Sequence, residues 1–231
     1  MTPGTPLEAL LTGGLTPLGE RAAPSGIAKL PVNGPLHLSK TGFAGDHQGD
    51  LKHHGGPEKA VHHYPLDHYG CWQGEIGPHP LLDQPGAFGE NLSTFGLVEA
   101  DVAIGDVFRL GSALLEVSQG RQPCWKLNAR FDHPAMARQV QETGRTGWYY
   151  RVLEEGLVAP GDSLIPLELM CHGWTIRRIW HFLYVDPLNR EALSAIAGLG
   201  SLSESWRKLA AKRLATLEVE GWEKRLTGEA F

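Results

Sequence analysis

The sequence predicts a β-rich domain followed by a small helical one, on three observations. Short apolar runs recur up to residue 169, and the 231 residues include 29 Gly and 16 Pro, a density that favours turns and irregular loops. Two pairs of these runs are joined by hairpin dipeptides, Asn33-Gly34 and Gly111-Ser112. Beyond residue 171 the apolar residues shift to the three-and-four spacing of amphipathic helices. At 42% apolar and 20% charged residues, the composition is that of an ordinary globular protein with enough chain to bury a sizeable core.

Taken in order, residues 1–24 read as an N-terminal arm or strand. Ser25 to Val32 is a strand, Asn33-Gly34 a type I′ turn, and Pro35 to Leu38 the returning strand. The next stretch, 41–63, carries Gly42, Gly45, Gly49, Gly55 and Gly56 interleaved with His53, His54, Lys59, His62 and His63. Glycine lets a backbone approach a ligand closely, and successive N–H groups beside cations suit an anion. A solvated, turn-rich connection explains the same residues equally well. Pro65 to Glu75 is a short helix with Leu66, Tyr69 and Trp72 on its apolar side and Cys71 as packing material. Glu90 and Asn91 follow Gly89 and either face a cavity or close an Asx-type turn.

From Val98 the β pattern returns. Asp101 to Ile104 leads into the hairpin of Val107–Leu110 and Ala113–Val117, which delivers the chain to Arg121 and Cys124. Pro134 to Thr143 is a helix closed by Gly144, and 148–153 and 161–169 are strands, with Pro166 marking an edge or a bulge. Helices are expected at 176–184, 188–199 and 205–214, the last capped by Ser203. Lys208, Lys212 and Arg213 form a basic face balanced by Glu218, Glu220 and Glu223, so it reads as a solvated face. The expected domains are 25–171, β, and 172–231, helical.

Several function classes drop out. A net charge of −5 argues against non-specific nucleic-acid binding, and no specific nucleic-acid partner is expected. No apolar run approaches the roughly 20 residues that span a bilayer, so no membrane association is expected. Three widely spaced cysteines and no secretory signal pattern fit a cytoplasmic protein. A dinucleotide fingerprint, a P-loop and a serine-hydrolase elbow are all missing from the sequence. The histidines at 53, 54, 62, 63 and 68 keep a zinc hydrolase open only as a minor alternative, because adjacent His-His pairs diverge in a strand.

The segment Gln119 to Lys126 carries the chemistry. Cys124 lies between Arg121 and Lys126, and nearby cations favour the thiolate, which is the nucleophile and the soft-metal ligand. Most single cysteines are simply buried packing residues. Together with Lys59, these cations suit an anionic ligand that carries a soft metal or a sulfur centre.

The ordered set His54-Gly-Gly-Pro-Glu-Lys-Ala-Val61, Phe88-Gly-Glu-Asn-Leu92, Gly105-Asp106, Arg121-Gln-Pro-Cys124 and Gly161-Asp162 resembles the MOSC family, and within it the YiiM type. One departure is Gly120, where relatives often carry Pro before the Arg. The resemblance implies a closed or partly closed β-barrel with a three-helix domain behind it. It also implies a molybdenum cofactor, a molybdopterin, ligated through the metal by Cys124, with His54, Lys59, Asn91, Arg121 and Lys126 around it. The implied activity is two-electron reduction of N-hydroxylated compounds, N-hydroxylated purine bases among them, to amines, with Glu90 as the proton-handling group. With no nucleotide fingerprint and too few cysteines for an iron–sulfur domain, electrons are expected from a separate flavin or iron–sulfur reductase. The alternative class is a non-catalytic carrier of the cofactor or of persulfide sulfur on Cys124. The sequence leaves a homodimer open.

Overall fold

The structure, a computed structural model, describes residues 4–49, 55–171 and 173–228. Strands β1 (Thr5–Pro6), β2 (Ala9–Thr12), β3 (Thr16–Leu18), β4 (Ala23–Ser25), β5 (Leu30–Pro31), β6 (Leu36–Ser39) and β7 (Gly42–Phe43) come first. A 3-10 turn at Pro57–Lys59 leads to β8 (Val61–Pro65), helix α1 (Asp67–Ile76) and β9 (Leu92–Thr94). Then come β10 (Val107–Leu110), β11 (Ala113–Gly120), α2 (Lys126–Arg130), α3 (Met136–Thr143), β12 (Trp148–Glu154), β13 (Gly156–Val158) and β14 (Ser163–Glu168). The chain closes with α4 (Ile176–Tyr184), α5 (Arg190–Gly198), α6 (Glu204–Thr216) and α7 (Glu223–Thr227).

Among the described residues the main sheet has nine strands in the order β1-β14-β10-β11-β12-β8-β9-β2-β5. The expected closed barrel is not formed, because the end strands β1 and β5 are not paired with each other and the sheet is open. The reason lies in residues 5–12. β1 pairs with β14 and β2 with β9, so consecutive strands serve opposite ends of the sheet. Between them the Leu7 N–H donates to Asp162 O (2.9 Å) and the Glu8 N–H to Ser93 O (2.9 Å). The chain therefore crosses the gap with one residue bonded to each flank and no ladder in between.

Local turn chemistry succeeded at one hairpin and failed at the other. β10 and β11 pair antiparallel across Gly111-Ser112, with Leu110 opposite Ala113. The hairpin expected at Asn33-Gly34 is absent. Residues before it form β5, which pairs with β2, and those after it form β6, which pairs with β13 and β7. Distant partners outbid the local turn. Opposite Pro166 the β10–β14 register shifts between Val107 and Phe108, the bulge expected where Pro cannot donate. β8 lies parallel to β9 and antiparallel to β12 and is buried along its whole length. That central position is what allows it to present His62 and His63 to opposite faces.

The three helices α4 to α6 pack on the same apolar core as the sheet: Ile176, Trp180, Leu193 and Trp206 join Val117, Trp148 and Leu164 in one cluster. A second cluster forms where α1, α2 and α3 meet Tyr64, Phe88 and Phe131, with the Tyr64 and Phe88 rings stacked at 3.9 Å. Three sequence expectations are corrected here. Cys71 is exposed, because α1 buries His68, Tyr69 and Trp72 instead. Arg213 leaves the basic face and is fully buried, donating to Glu220 (2.9 and 2.6 Å) and to Leu183 O (2.6 Å). Ser203 occupies the cap position of α6, but its hydroxyl meets Ser205 at 3.2 Å rather than the helix N–H groups. Helix α7 was not anticipated. No helix of the described residues is long and apolar enough to cross a membrane.

Candidate functional site

β11 alternates buried and half-buried positions until Val117 and is then buried through Gly120, where the chain leaves the sheet. The Arg121 N–H donates to Gly147 O (3.1 Å), which turns the following residues across the end of the sheet. The Leu127 N–H then donates to Cys124 O (2.9 Å), and α2 begins. The result is a sharp loop that sets Cys124, 8% exposed, in the wall of an open cleft.

Five of the residues chosen from sequence line this cleft: Lys59, Asn91, Arg121, Cys124 and Lys126. Arg121 is nearly buried, whereas Lys126 reaches out to donate to Pro24 O (3.0 Å). His54 lies outside the described residues. Glu90 stands next to the cleft in sequence but not in its wall. Its carboxylate is fully buried and accepts from Tyr69 Oη (2.6 Å), Gly86 N (2.7 Å), Phe88 N (3.0 Å) and Ser93 Oγ (3.3 Å). Those donors fold the 86–90 loop around it, so Glu90 is a clamp on the backbone that shapes the cleft. Buried beside Glu90, the Tyr69 hydroxyl is held well above its ordinary pKa and stays a donor.

Asn91 is also largely committed. Its Oδ1 accepts from His62 N (3.0 Å), and its Nδ2 donates to Leu11 O (3.1 Å) and Asp46 Oδ2 (2.9 Å). Asp46 in turn accepts from Gly13 N (2.9 Å) and pairs with Lys29 at 2.5 Å. Burial lowers the Lys29 pKa, and the Asp46 carboxylate opposes this most strongly. A buried ammonium persists only with such a partner. This floor ties β2, the 46–49 turn and the 91 loop into one unit.

Sequence reasoning missed Lys29, His62 and Tyr149, which line the same cleft. Lys29 had no local signal, since the residues that bury it are distant in the chain. His62 was seen only as one of several histidines. In the structure burial holds its pKa well below the usual imidazole value, assisted by the Arg121 and Lys29 charges, so the ring is neutral. It lies 5.0 Å from the Tyr149 ring. Burial raises the Tyr149 pKa, and Arg121 beside it pulls the other way. His53, like His54, lies outside the described residues; of the remaining histidines chosen from sequence, His63 meets Tyr150 Oη (3.1 Å) and Thr94 Oγ1 (2.9 Å), and His68 meets Glu99 Oε2 (2.7 Å). Among the described residues no three His, Cys, Asp or Glu side chains gather as a metal site.

Two glycines build the near wall by main-chain contact. A Cβ on Gly26 would sit 1.7 Å from His47 O, and one on Gly49 would sit 2.0 Å from Pro24 O. Gly49 thus serves backbone-on-backbone packing, whereas Gly45 and Gly56, both at positive φ, face open space.

The MOSC domain profile matches residues 50–165, and a YiiM-like 3-alpha helix domain matches residues 174–217. The chain belongs to the MOSC family. Protein YiiM of Escherichia coli is 42% identical over 210 residues, 89% of this chain and 92% of that protein. Protein YflK of Bacillus subtilis, described as uncharacterized, is 46% identical over 79% of this chain and 81% of its own length. A protein of Gibberella moniliformis named "Reductase" is 43% identical over 67% of this chain, which is 28% of that longer protein. Among solved structures, YiiM from Geobacillus stearothermophilus superposes with TM-score 0.76 at 35% identity, covering 89% of this chain and 97% of its own. YiiM from E. coli does so with TM-score 0.78 at 34% identity, covering 92% and 98%.

MOSC domains are associated with binding the molybdenum cofactor. The donor set fits that group: a thiol of the soft kind that molybdenum and sulfur centres favour, and Arg and Lys side chains of the kind that hold phosphate, share one cleft.

Proposed function

We propose that this MOSC protein reduces N-hydroxylated small molecules to amines with a molybdenum cofactor held at Cys124, using electrons from a separate flavin or iron–sulfur reductase. The observation behind this is the Cys124 thiol in the wall of a cleft that also carries Arg121, Lys59 and Lys126. Cys124 would ligate the metal, and the three cations would hold the cofactor's anionic end. When bound, the cofactor supplies two-electron redox chemistry. Each turnover consumes two electrons and two protons, cleaves the N–O bond and releases the amine and water. Glu90, with its oxygens occupied by loop donors, is poorly placed to supply those protons. His62 and Tyr149 line the cleft, where burial keeps the imidazole neutral and the phenol protonated, so they serve as hydrogen-bond partners for a bound substrate and the protons are drawn from solvent at the open mouth. The fungal relative is named "Reductase", which supports a reductase, and that protein's greater length leaves room for further domains.

The test is expression in a molybdopterin-competent host, with metal and pterin analysis of wild type beside Cys124→Ala. Stoichiometric molybdenum in wild type and its loss in the variant are expected, together with hydroxylamine reduction only when a reductase is added. Equal molybdenum in both proteins removes the ligand assignment, and turnover by the purified chain with NADPH alone removes the partner. A persulfide on Cys124 without molybdenum would favour sulfur transfer instead.

A further inference from the structure

The loop that carries Cys124 does not stand on the sheet alone. On one side, Gln122 Nε2 donates to the Tyr184 hydroxyl of α4 (2.5 Å). On the other lies α7, beyond the last residue of the matched three-helix segment, 217. The Trp125 N–H donates to Arg225 O (2.8 Å), and Asn128 Nδ2 donates to Leu226 O (2.8 Å). The Arg225 side chain runs back the opposite way: Nη1 donates to the Pro123 carbonyl and Nη2 to Gln141 Oε1 on α3. One residue thus holds the peptide before Cys124 with its guanidinium and the peptide after it with its carbonyl. Pro123 has no N–H of its own to anchor it.

The rest of the segment is fitted to this contact. Leu226 is buried in the second core cluster. A Cβ on Gly228 would sit 2.7 Å from the Trp125 ring, so the chain passes flush against it. The Arg21 guanidinium lies 5.3 Å over that ring and donates to Gly228 O (2.8 Å). Burial lowers the Arg225 pKa, and Tyr184 and Cys124 are the leading groups that oppose this, which places the guanidinium in the electrostatic reach of the thiol.

We infer that Arg225 is a positioning residue for the Cys124 thiol, acting through the Pro123 carbonyl, and that segment 222–228 is a working part of the site. The inference rests on the proposed role of Cys124, but the geometry it asserts can be measured without cofactor. A charged, two-handed donor is needed because the guanidinium must reach two acceptors on different elements at once.

The experiment compares wild type, Arg225→Met, Arg225→Lys and the control Glu223→Gln, which removes only the exposed pair of α7 with Arg138. Amide hydrogen exchange of residues 121–128, melting temperature, and molybdenum and pterin content are read for each. In Arg225→Met, exchange in this loop rises about tenfold relative to the sheet strands, as loss of ~1.4 kcal/mol of local restraint would produce. Cofactor content falls with it, Arg225→Lys restores part of both, and Glu223→Gln matches wild type. Should Arg225→Met not fold, Gln141→Leu removes the second acceptor and is expected to loosen the same loop. Unchanged loop exchange overturns the inference, and so does an increase spread evenly over the protein with no rescue by Lys. If wild type itself takes up no molybdenum, the functional reading fails while the exchange comparison still decides the positioning role.

Discussion

The Glu90 carboxylate accepts hydrogen bonds from Tyr69, Gly86, Phe88 and Ser93. Gln at this position can keep an oxygen on Tyr69, Gly86 and Ser93 but turns its NH2 group toward the Phe88 N–H. Leaving a buried donor unsatisfied costs roughly 1–3 kcal/mol, so Glu90→Gln is expected to lower unfolding free energy by about 1–3 kcal/mol in urea titration. A proton-donor role predicts something else, a normal melting curve with lost activity. Burial is what sequence could not supply here. Glu90 and Asn91 were both drawn to attention by their place after a glycine, yet only Asn91 lines the cleft. Lys29 and Tyr149 line it too without any local signature, because their neighbours come from other parts of the chain. Arg121 and Cys124 were legible because their chemistry lies within four residues of one loop.

At the scale of elements, β11 shows how a strand can aim a site. Its pairing with β10 follows from a two-residue turn, and its pairing with β12 carries register shifts at 114/115 and 117/119 that twist its end. That end is Gly120, where a Cβ would lie 2.9 Å from Trp206 Cη2 of α6 and 3.4 Å from Ile176 Cγ2 of α4. Helix and strand end meet there, so Gly120 is a packing contact of the helical domain as well as the last strand residue before Arg121. Gly120→Ala is expected to displace the Trp206 ring and lower stability by about 1–3 kcal/mol, the usual range for overpacking. A melting curve checks the loss, and a shift in Trp fluorescence checks the ring. No loss of stability would show that Trp206 yields freely. Elements held by local rules were readable: the β10–β11 hairpin, α3 with Gly144 in the left-handed region closing it, and the three amphipathic helices. Those decided by distant partners were not. β5 abandons its expected turn for β2, and α7 is only five residues long, too short to show a period.

At the scale of the whole molecule, buried titratable groups make stability depend on pH. Burial holds His63 at a pKa of about 3, well below the 6.5 of an exposed imidazole. His62 is shifted the same way, by burial first and by Arg121 next. In the unfolded chain both would take up protons near 6.5, so between 6.5 and about 3 the unfolded state binds more protons than the folded one. Stability then rises with pH across that window and is lost as pH falls through it. Glu99 adds to the loss at the acid end. Burial alone would raise its pKa, but the His68 hydrogen bond and charge and the Gly147 N–H outweigh that and bring it below 4.5. Its contribution is complete above 4.5 and disappears as pH falls through the folded value. Each buried histidine contributes at most ~1.4 kcal/mol per pH unit. Urea unfolding from pH 7.5 to 4.5 should therefore show little change down to about 6.5 and a steep decline below it. His63→Gln removes one titrating group while keeping a side chain able to hydrogen-bond Tyr150 and Thr94, so its decline should be shallower by up to ~1.4 kcal/mol per unit. An unchanged slope in that variant would assign the acid sensitivity to His62 and Glu99 alone, and a flat wild-type profile would mean that these groups are hydrated in solution.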